Sequence, residues 1–387
     1  MAAPRLPKSL FLTVWFLLLA ALSVSAAGPA CFDSPDRYLR ESFPSVQETP
    51  DLPFGSNTNP LFANRREDLR LDLYRPAGDT CARRPLVLFL YGGQFMTGSR
   101  KDEAGSCRRF ARMGFVAAAT DYRKGIVGVE SARNFGTPAF MASQDTRAAI
   151  RFFRKNAALY GIDTNHIYVG GCSSGGVAAV TTAYLDEEGE IPSYVATEAR
   201  AGGIEGLSGN PGYSSAFAGV LNLSGGLFDT TWMHTGDEPL VAVNCAGDPT
   251  KAPGDDSLRV DGTNVGYISS YGSKALTEKA LRVGIPVSWL SYQRACHCPH
   301  FVGPTGVDST LRFFGVSLRS LWARPSALPR LMPILFPGEG SKVLEGARLF
   351  TLKGQAVEPQ GPARGASGGT RRAQRPLPPG LYRVVAP

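Results

Sequence analysis

Along this 387-residue chain, apolar and polar positions alternate with two different spacings. LRLDLYRP (69–76) switches between apolar and polar at every residue or so, the period of a half-buried strand. PLVLFLY (85–91) is an unbroken apolar run, as expected of a strand covered on both faces. KDEAGSCRRFARMG (101–114) has helical spacing and ends on a glycine, and FVAAATDYR (115–123) predicts the next buried strand. SQDTRAAIRFFRKNAALYG (143–161) is the clearest helix, with apolar residues at helical intervals, basic residues late and Gly161 as the stop. A β-branched and aromatic run from Ile167 then leads into small residues that start a helix through Tyr184. Further strands are predicted at 218–225, 239–247 and 286–292, with helices at 273–284 and 310–323. Strands alternating with helices predict the α/β class, a mostly parallel sheet with helices on both faces.

The pattern fades in three places. Residues 28–66 are polar and rich in Pro, Asn and Ser, which predicts an irregular lead-in to a main domain spanning 67–323. Residues 185–217 are rich in Gly, Ser and acidic side chains, without strong periodicity, and read as a loop of the kind that often covers a site. Residues 324–387 shift to Pro, Gly and Arg and form a tail. At the other end, residues 1–27 read as an export signal: Arg5 and Lys8, the apolar run Leu10 to Leu22, then small residues suited to cleavage after Ala26 or Ala27. That run is well under the roughly 20 residues a bilayer needs, so no membrane span is expected. The mature chain is expected to be soluble and secreted or held at the cell surface.

Seven cysteines in an exported chain allow up to three disulfides with one thiol left over. The residues before Cys31 lack the aliphatic side chain of a lipoprotein signal. The net charge of +8 is partly carried by the signal and the tail. No basic cluster is interleaved with aromatics, so no nucleic-acid partner is expected. No residue pattern sets an oligomeric state.

The candidate chemistry sits in Gly171-Cys172-Ser173-Ser174-Gly175, between a predicted strand and a predicted helix. Gly-x-Ser-x-Gly there is a turn too sharp for side chains on either side, which lifts the serine hydroxyl clear of the sheet beside the free N–H groups of the helix start. Ser173 is the candidate nucleophile. The pentapeptide alone is common, and its weight comes from the other stretches found in order. Asp248 lies just past the strand PLVAVNC, where a loop can hold a carboxylate to orient a base; as an Asp-Pro dipeptide it is equally a good turn. Of the four histidines, His166 lies at the wrong end of its strand and His234 precedes the Asp248 strand. His297 and His300 remain, both just after the last strand, with His297 nearer its end. Gly92, Gly93 and Gln94 follow a buried strand, where small residues let backbone N–H groups approach a substrate oxygen. Gly93, Gln94 and Ser174 are the expected donors, with Gly92 serving mainly the turn. Nucleophile, base, orienting acid and oxyanion donors are what acyl transfer from an ester needs, with no cofactor and no metal.

From about Asp68 to Phe314 the chain resembles α/β-hydrolase carboxylesterases, in particular exported bacterial esterases. YGGQF stands where that family has HGGxF, with Tyr91 in place of its histidine; DYR follows the next strand; GCSSGG matches the elbow. CAGD with a proline five residues on resembles GTAD-x-x-VP with an insertion, and YGSKALTEKA and CHCPH look like the YGS helix and the GAGHxP loop. The resemblance implies an α/β-hydrolase fold, a Ser173, Asp248, His297 triad with His297 preferred to His300, and a small-molecule or polysaccharide-linked ester as substrate. A peptidase of the same fold is the nearest rival, though such enzymes usually add a large access-limiting domain. A non-catalytic binding protein of the fold would commonly lose one triad member.

Cys172 before the nucleophile and Cys298 after His297 are similar to the Cys-Ser, Asp, His-Cys arrangement of tannases and some feruloyl esterases, in which a disulfide ties the two loops together. That resemblance implies a Cys172–Cys298 bond here. Cys245 with Cys296 is a second expected tie, and Cys81 with Cys107 a third. The tail, from VLEGARLFTLKGQAV to LPPGLYRVVAP, resembles the end of the C-terminal sorting domain of the type IX secretion system, with strand, turn Lys353-Gly354 and strand, interrupted by a Gly/Arg-rich insert at 361–375.

Overall fold

The computed structural model describes residues 31, 36–125, 132–250, 254, 257–260, 263–301, 303–322, 348–351, 356–357 and 382–386. The expected export signal lies outside the described residues, as does most of the tail, including its expected turn at Lys353-Gly354.

The unbroken apolar runs form the middle of one sheet. In chain order its elements are β1 (Val46–Asn59), β2 (Arg65–Pro76), β3 (Arg84–Leu90), α1 (Ala104–Arg112), β4 (Val116–Thr120), α2 (Ala132–Lys155), the one-turn α3 (Ala157–Tyr160), β5 (Ile162–Cys172), α4 (Ser174–Tyr184) and β6 (Val220–Leu223). There follow β7 (Gly226–Leu227), β8 (Leu240–Cys245), β9 (Ser257–Val260), β10 (Thr263–Ser269), β11 (Tyr271–Gly272), α5 (Ser273–Val283), β12 (Val287–Tyr292) and α6 (Gly303–Trp322). In the tail are β13 (Arg348–Thr351), β14 (Ala356–Val357) and β15 (Tyr382–Ala386). The sheet order is β1-β2-β4-β3-β5-β6-β8-β12-β15-β13-β14. From β4 through β12 every neighbouring pair is parallel, while β1 and β2 enter antiparallel at the edge.

All seven residues of β3 are buried, and their alternation explains why the run has no polar face. Leu86, Leu88 and Leu90 point into one apolar layer with Phe153 of α2, Val180 of α4 and Leu276 of α5. Val87 and Phe89 point into the other, with Phe110 of α1 and Phe314 of α6. A strand covered on both faces has no solvent-facing side to call for alternating polar residues. This is the α/β-hydrolase fold. Its chain leaves β3 toward β4 on one side and returns as β5 on the other, so the carboxyl ends of β3 and β5 flank a switch point, the usual place for a site in open α/β sheets.

The lead-in is not irregular. Residues 46–59 form the long edge strand β1, paired to β2 from Val46↔Pro76 to Asn59↔Arg65. Its prolines argue against a central strand, but an edge strand accommodates Pro50 and Pro53 where the register slips, between Thr49 and Leu52 and between Pro53 and Gly55. Upstream, Tyr38 is fully buried and its N–H bonds Met113 O at 2.7 Å, so the domain begins before residue 67. Helix α2 starts eleven residues before Ser143, because Phe135, Phe140 and Met141 are all buried and show no amphipathic period. The Asp248 loop carries the antiparallel pair β9–β10, which had no counterpart in the expected elements.

Residues 185–217 are loop, as expected, with short 3-10 turns. Its anchors run to α2 and β1: Gln144 Nε2 donates to Gly203 O at 2.7 Å, Arg151 Nη1 meets Glu205 at 2.5 Å, and Asn210 Nδ2 donates to Phe54 O at 2.7 Å. The pair Arg123–Asp145 lies at the centre of this junction. Their side chains are 2% and 0% exposed and 2.9 Å apart. Arg123 Nη1 also donates to Thr58 O at 2.8 Å, and Ser208 Oγ donates to Asp145 Oδ1 at 2.5 Å. One buried pair thus joins β1, the end of β4, α2 and the long loop. Removing one partner leaves a buried charge uncompensated. Asp145→Ala is therefore expected to lower the unfolding free energy by about 3–5 kcal/mol in urea titration; a loss below about 1 kcal/mol would show that water or another group neutralises Arg123.

Candidate active site

Strand β5 ends at Cys172, and Ser173 turns the chain into α4 with φ 56 and ψ −123. Few side chains other than glycine occupy that region, and a residue held there marks a site where the surroundings impose the conformation. The flanking glycines are required by close backbone approach. A Cβ at Gly175 would stand 2.1 Å from Leu90 O, and one at Gly171 would stand 2.4 Å from Gly175. Ser173 N–H bonds Leu223 O at 2.9 Å, which pins the turn to the end of β6.

The loop after β3 lies across this turn. A Cβ at Gly92 would meet Ser173 Cβ at 3.2 Å and Cys172 O at 3.2 Å, so Gly92 does more than shape a turn; it lets the loop close on the serine. Gly93 has φ 118, and both Gln94 (φ 58) and Phe95 (φ 61) are left-handed. The N–H groups of Met96 and Thr97 both bond Gly93 O at 2.9 Å, closing the loop on itself. Ser174 is buried as the first residue of α4. Gly92 thus lies against Ser173, with Gly93 and Gln94 next in the same loop and Ser174 next in the turn.

Asp248 and His297 meet because β8 and β12 are parallel neighbours whose loops leave the same edge. His297 Nδ1 lies 2.9 Å from each carboxylate oxygen of Asp248. The Asp248 side chain is fully buried, and it also accepts the Thr250 N–H at 2.9 Å. A carboxylate on Nδ1 places the ring proton there and leaves the lone pair on Nε2. Among the described residues His297 Nε2 is buried and has no hydrogen-bond partner. A protonated Nδ1 and an unengaged Nε2 are what a general base requires.

Cys172 and Cys298 sit at disulfide distance, with α-carbons 5.9 Å apart. Ser173 and His297, their direct neighbours, are thereby carried on cross-linked loops. The Cys298 N–H donates to Ser224 Oγ at 3.2 Å, so both loops also rest on the end of β6. Cys245 and Cys296, 5.5 Å apart at their α-carbons, tie the end of β8 to the same base loop.

His300 turns the other way. It is buried under β3, with Nε2 3.4 Å from Glu103 Oε2, and its ring lies against Phe301 and Phe89. Glu103, itself fully buried, accepts from Ser106 Oγ at 2.8 Å. Sequence reasoning missed Glu103, because its segment KDEAGS looks like a solvated helix start and nothing local marks the carboxylate as buried. Glu103, His300 and Cys172 bring potential metal-ligand atoms within 4.8 Å of one another. The sulfur of Cys172 is committed to Cys298, which leaves two ligands, fewer than a zinc site needs.

Residues 71–205 match the BD-FAE family, a stretch that contains the Gly92–Gly93 loop and the Ser173 turn and ends before Asp248 and His297. The chain is 32% identical over 127 residues to carboxylesterase 3B of Mus musculus, covering 32% of this chain and 22% of that protein. It is 35% identical over 159 residues to a probable isoprenylcysteine alpha-carbonyl methylesterase of Oryza sativa subsp. japonica, covering 40% of this chain and 33% of that protein. The chain thus spans about a fifth to a third of the curated relatives it matches. Among solved structures, Thermogutta terrifontis esterase 2 phosphoramylated by tabun superposes with a TM-score of 0.48 at 20% identity, over 72% of this chain and 96% of that one.

The remaining cysteines depart from the expected pairing. Cys81 pairs with Cys31, α-carbons 6.0 Å apart, and Cys107 is free and buried. Cys107 points from α1 into the apolar layer with Phe110 and Phe89. The Arg37–Asp79 ion pair at 2.5 Å instead brings the N-terminal segment to the turn that carries Cys81. Burial pushes the Cys107 thiol far above the usual thiol range, which keeps it protonated and unreactive. With three pairs and one buried thiol, Ellman titration is expected to find essentially no thiol in the folded protein and one per chain in guanidinium without reductant. Three or more would mean that at least one pair is open.

Proposed function

We propose that this chain is an exported serine carboxylesterase that hydrolyses carboxylic esters through an acyl-enzyme. The observation that carries the reading is the 2.9 Å contact of His297 Nδ1 with the buried Asp248 carboxylate, on a loop cross-linked beside Ser173. Ser173 Oγ attacks the ester carbonyl while His297 Nε2 takes its proton, and Asp248 stabilises the imidazolium. The N–H groups of Gly93, Gln94 and Ser174 hold the tetrahedral oxyanion. Collapse expels the alcohol with the proton returned by His297, and water then repeats the sequence on the acyl-enzyme. The relatives named as esterases agree in chemistry, and the matched BD-FAE stretch contains two of the loops involved.

Export belongs to the same proposal. Three cysteine pairs at disulfide distance suit an oxidising compartment, and a mature N-terminus beginning after Ala26 or Ala27 would establish signal cleavage. A processed tail after residue 323 would be the corresponding sign of type IX sorting.

Ser173→Ala is expected to lower turnover of p-nitrophenyl acyl esters at least about a thousandfold with the fold intact, since only oxyanion donors and binding remain. His297→Ala should be nearly as damaging, because members of one catalytic unit act non-additively. His300→Gln, which disturbs the pair with Glu103, should lower the melting temperature yet leave turnover within about tenfold of wild type. Retained activity in Ser173→Ala removes the nucleophile assignment, and the reverse order for the two histidines moves the base.

A further inference from the structure

We infer that Tyr122 is a positioning residue of the oxyanion loop, acting through its hydroxyl on the backbone of Tyr91. The inference rests on the esterase reading above.

Two adjacent side-chain-bearing residues with left-handed backbone, Gln94 and Phe95, make this loop unlike an ordinary turn. Such conformations persist where the surrounding structure over-determines them, and they cluster where geometry matters to function. The surroundings here are supplied by the segment after β4. The Tyr122 hydroxyl donates to Tyr91 O at 2.8 Å, and its ring stacks on Tyr91 with centroids 4.3 Å apart and planes 15° apart. The same ring meets Phe95 edge-on at 5.9 Å. Nearby, Gly125 N–H bonds Phe95 O at 2.7 Å, and Lys124 Nζ donates to Gly98 O at 3.0 Å. The segment is itself immobilised by the Arg123–Asp145 pair.

Tyr122 differs from these other contacts in bonding the carbonyl at the very start of the loop. Its hydroxyl fixes the carbonyl of Tyr91, the residue from which the Gly92-Gly93-Gln94 backbone departs. A residue only 3% exposed would be satisfied by phenylalanine if packing were its whole role. Burial pushes the phenol far above its usual range, so the hydroxyl stays protonated and a donor at any working pH. Oxyanion donors must lie where charge develops in the transition state, so a small rotation of the Tyr91–Gly92 peptide affects kcat before it affects substrate binding.

The test compares wild type with Tyr122→Phe, which keeps the ring stacking. With p-nitrophenyl acetate, kcat should fall about ten- to a hundredfold with KM within about twofold, the pattern of an interaction realised in the transition state. Binding of a trifluoromethyl ketone, whose hemiketal oxyanion occupies the same donors, should weaken by the same factor as kcat/KM. Replacing Tyr122 by 4-aminophenylalanine, which restores a donor at that place, should recover most of kcat; 4-methylphenylalanine should not. Should Tyr122→Phe not fold, the two unnatural variants make the same comparison. An unchanged kcat, or a fall in kcat without weaker ketone binding, overturns the inference while leaving the esterase reading intact. A wild-type chain without turnover on any ester overturns that reading and this inference with it.

Discussion

The site depends on one steric constraint, the approach of the turn after β5 to the end of β3. A Cβ on Gly175 would stand 2.1 Å from Leu90 O, and one on Gly92 would stand 3.2 Å from Ser173 Cβ. Two backbones this close leave no freedom in either. The serine is forced to positive φ, its side chain leaves the sheet, and the loop after β3 is laid across it. Everything else in the site is arranged around these two neighbouring strand ends.

His297 arrives from the far side of the sheet's centre and is held by other means. Parallel pairing of β8 with β12 brings Asp248 and His297 together, but it does not by itself place their loops against the Ser173 turn. Two cysteine pairs and the Ser224 hydroxyl do that. The Asp248 loop also carries the β9–β10 pair. The cross-links restrict the His297 loop at Cys296 and Cys298, on either side of the histidine.

Buried charge supplies the remaining rigidity. Arg123–Asp145 binds β1 and the long loop to α2, and Glu103–His300 fills the space beneath β3 behind the cross-linked cysteines. In the Arg123–Asp145 pair each ionised group makes the other tolerable in an apolar layer. The pairs replace packing that a loop-rich end of the sheet cannot provide, and the segment held by the first is the one that braces the Tyr91–Phe95 loop.

The sequence by itself determined the central strands, most of the helices and the Ser173 turn. Each is written in a few consecutive residues: the solid apolar runs of β3 and β8, the helical spacing of α5, the glycines on either side of Cys172-Ser173-Ser174. It also narrowed the base to two histidines and, through resemblance, pointed to Cys172 with Cys298. The tertiary structure alone decided that Val46–Asn59 is a strand, since its prolines fit an edge and nothing local says where an edge is. It decided that α2 begins at Ala132, where burial on all sides erases the helical period. It placed His297 on Asp248 and His300 on Glu103, and it gave Cys81 to Cys31 rather than Cys107. Period and turn sterics act over a handful of residues and are legible in order along the chain. Which carboxylate, thiol or edge a residue meets depends on how distant segments pack, and local pattern carries no record of that.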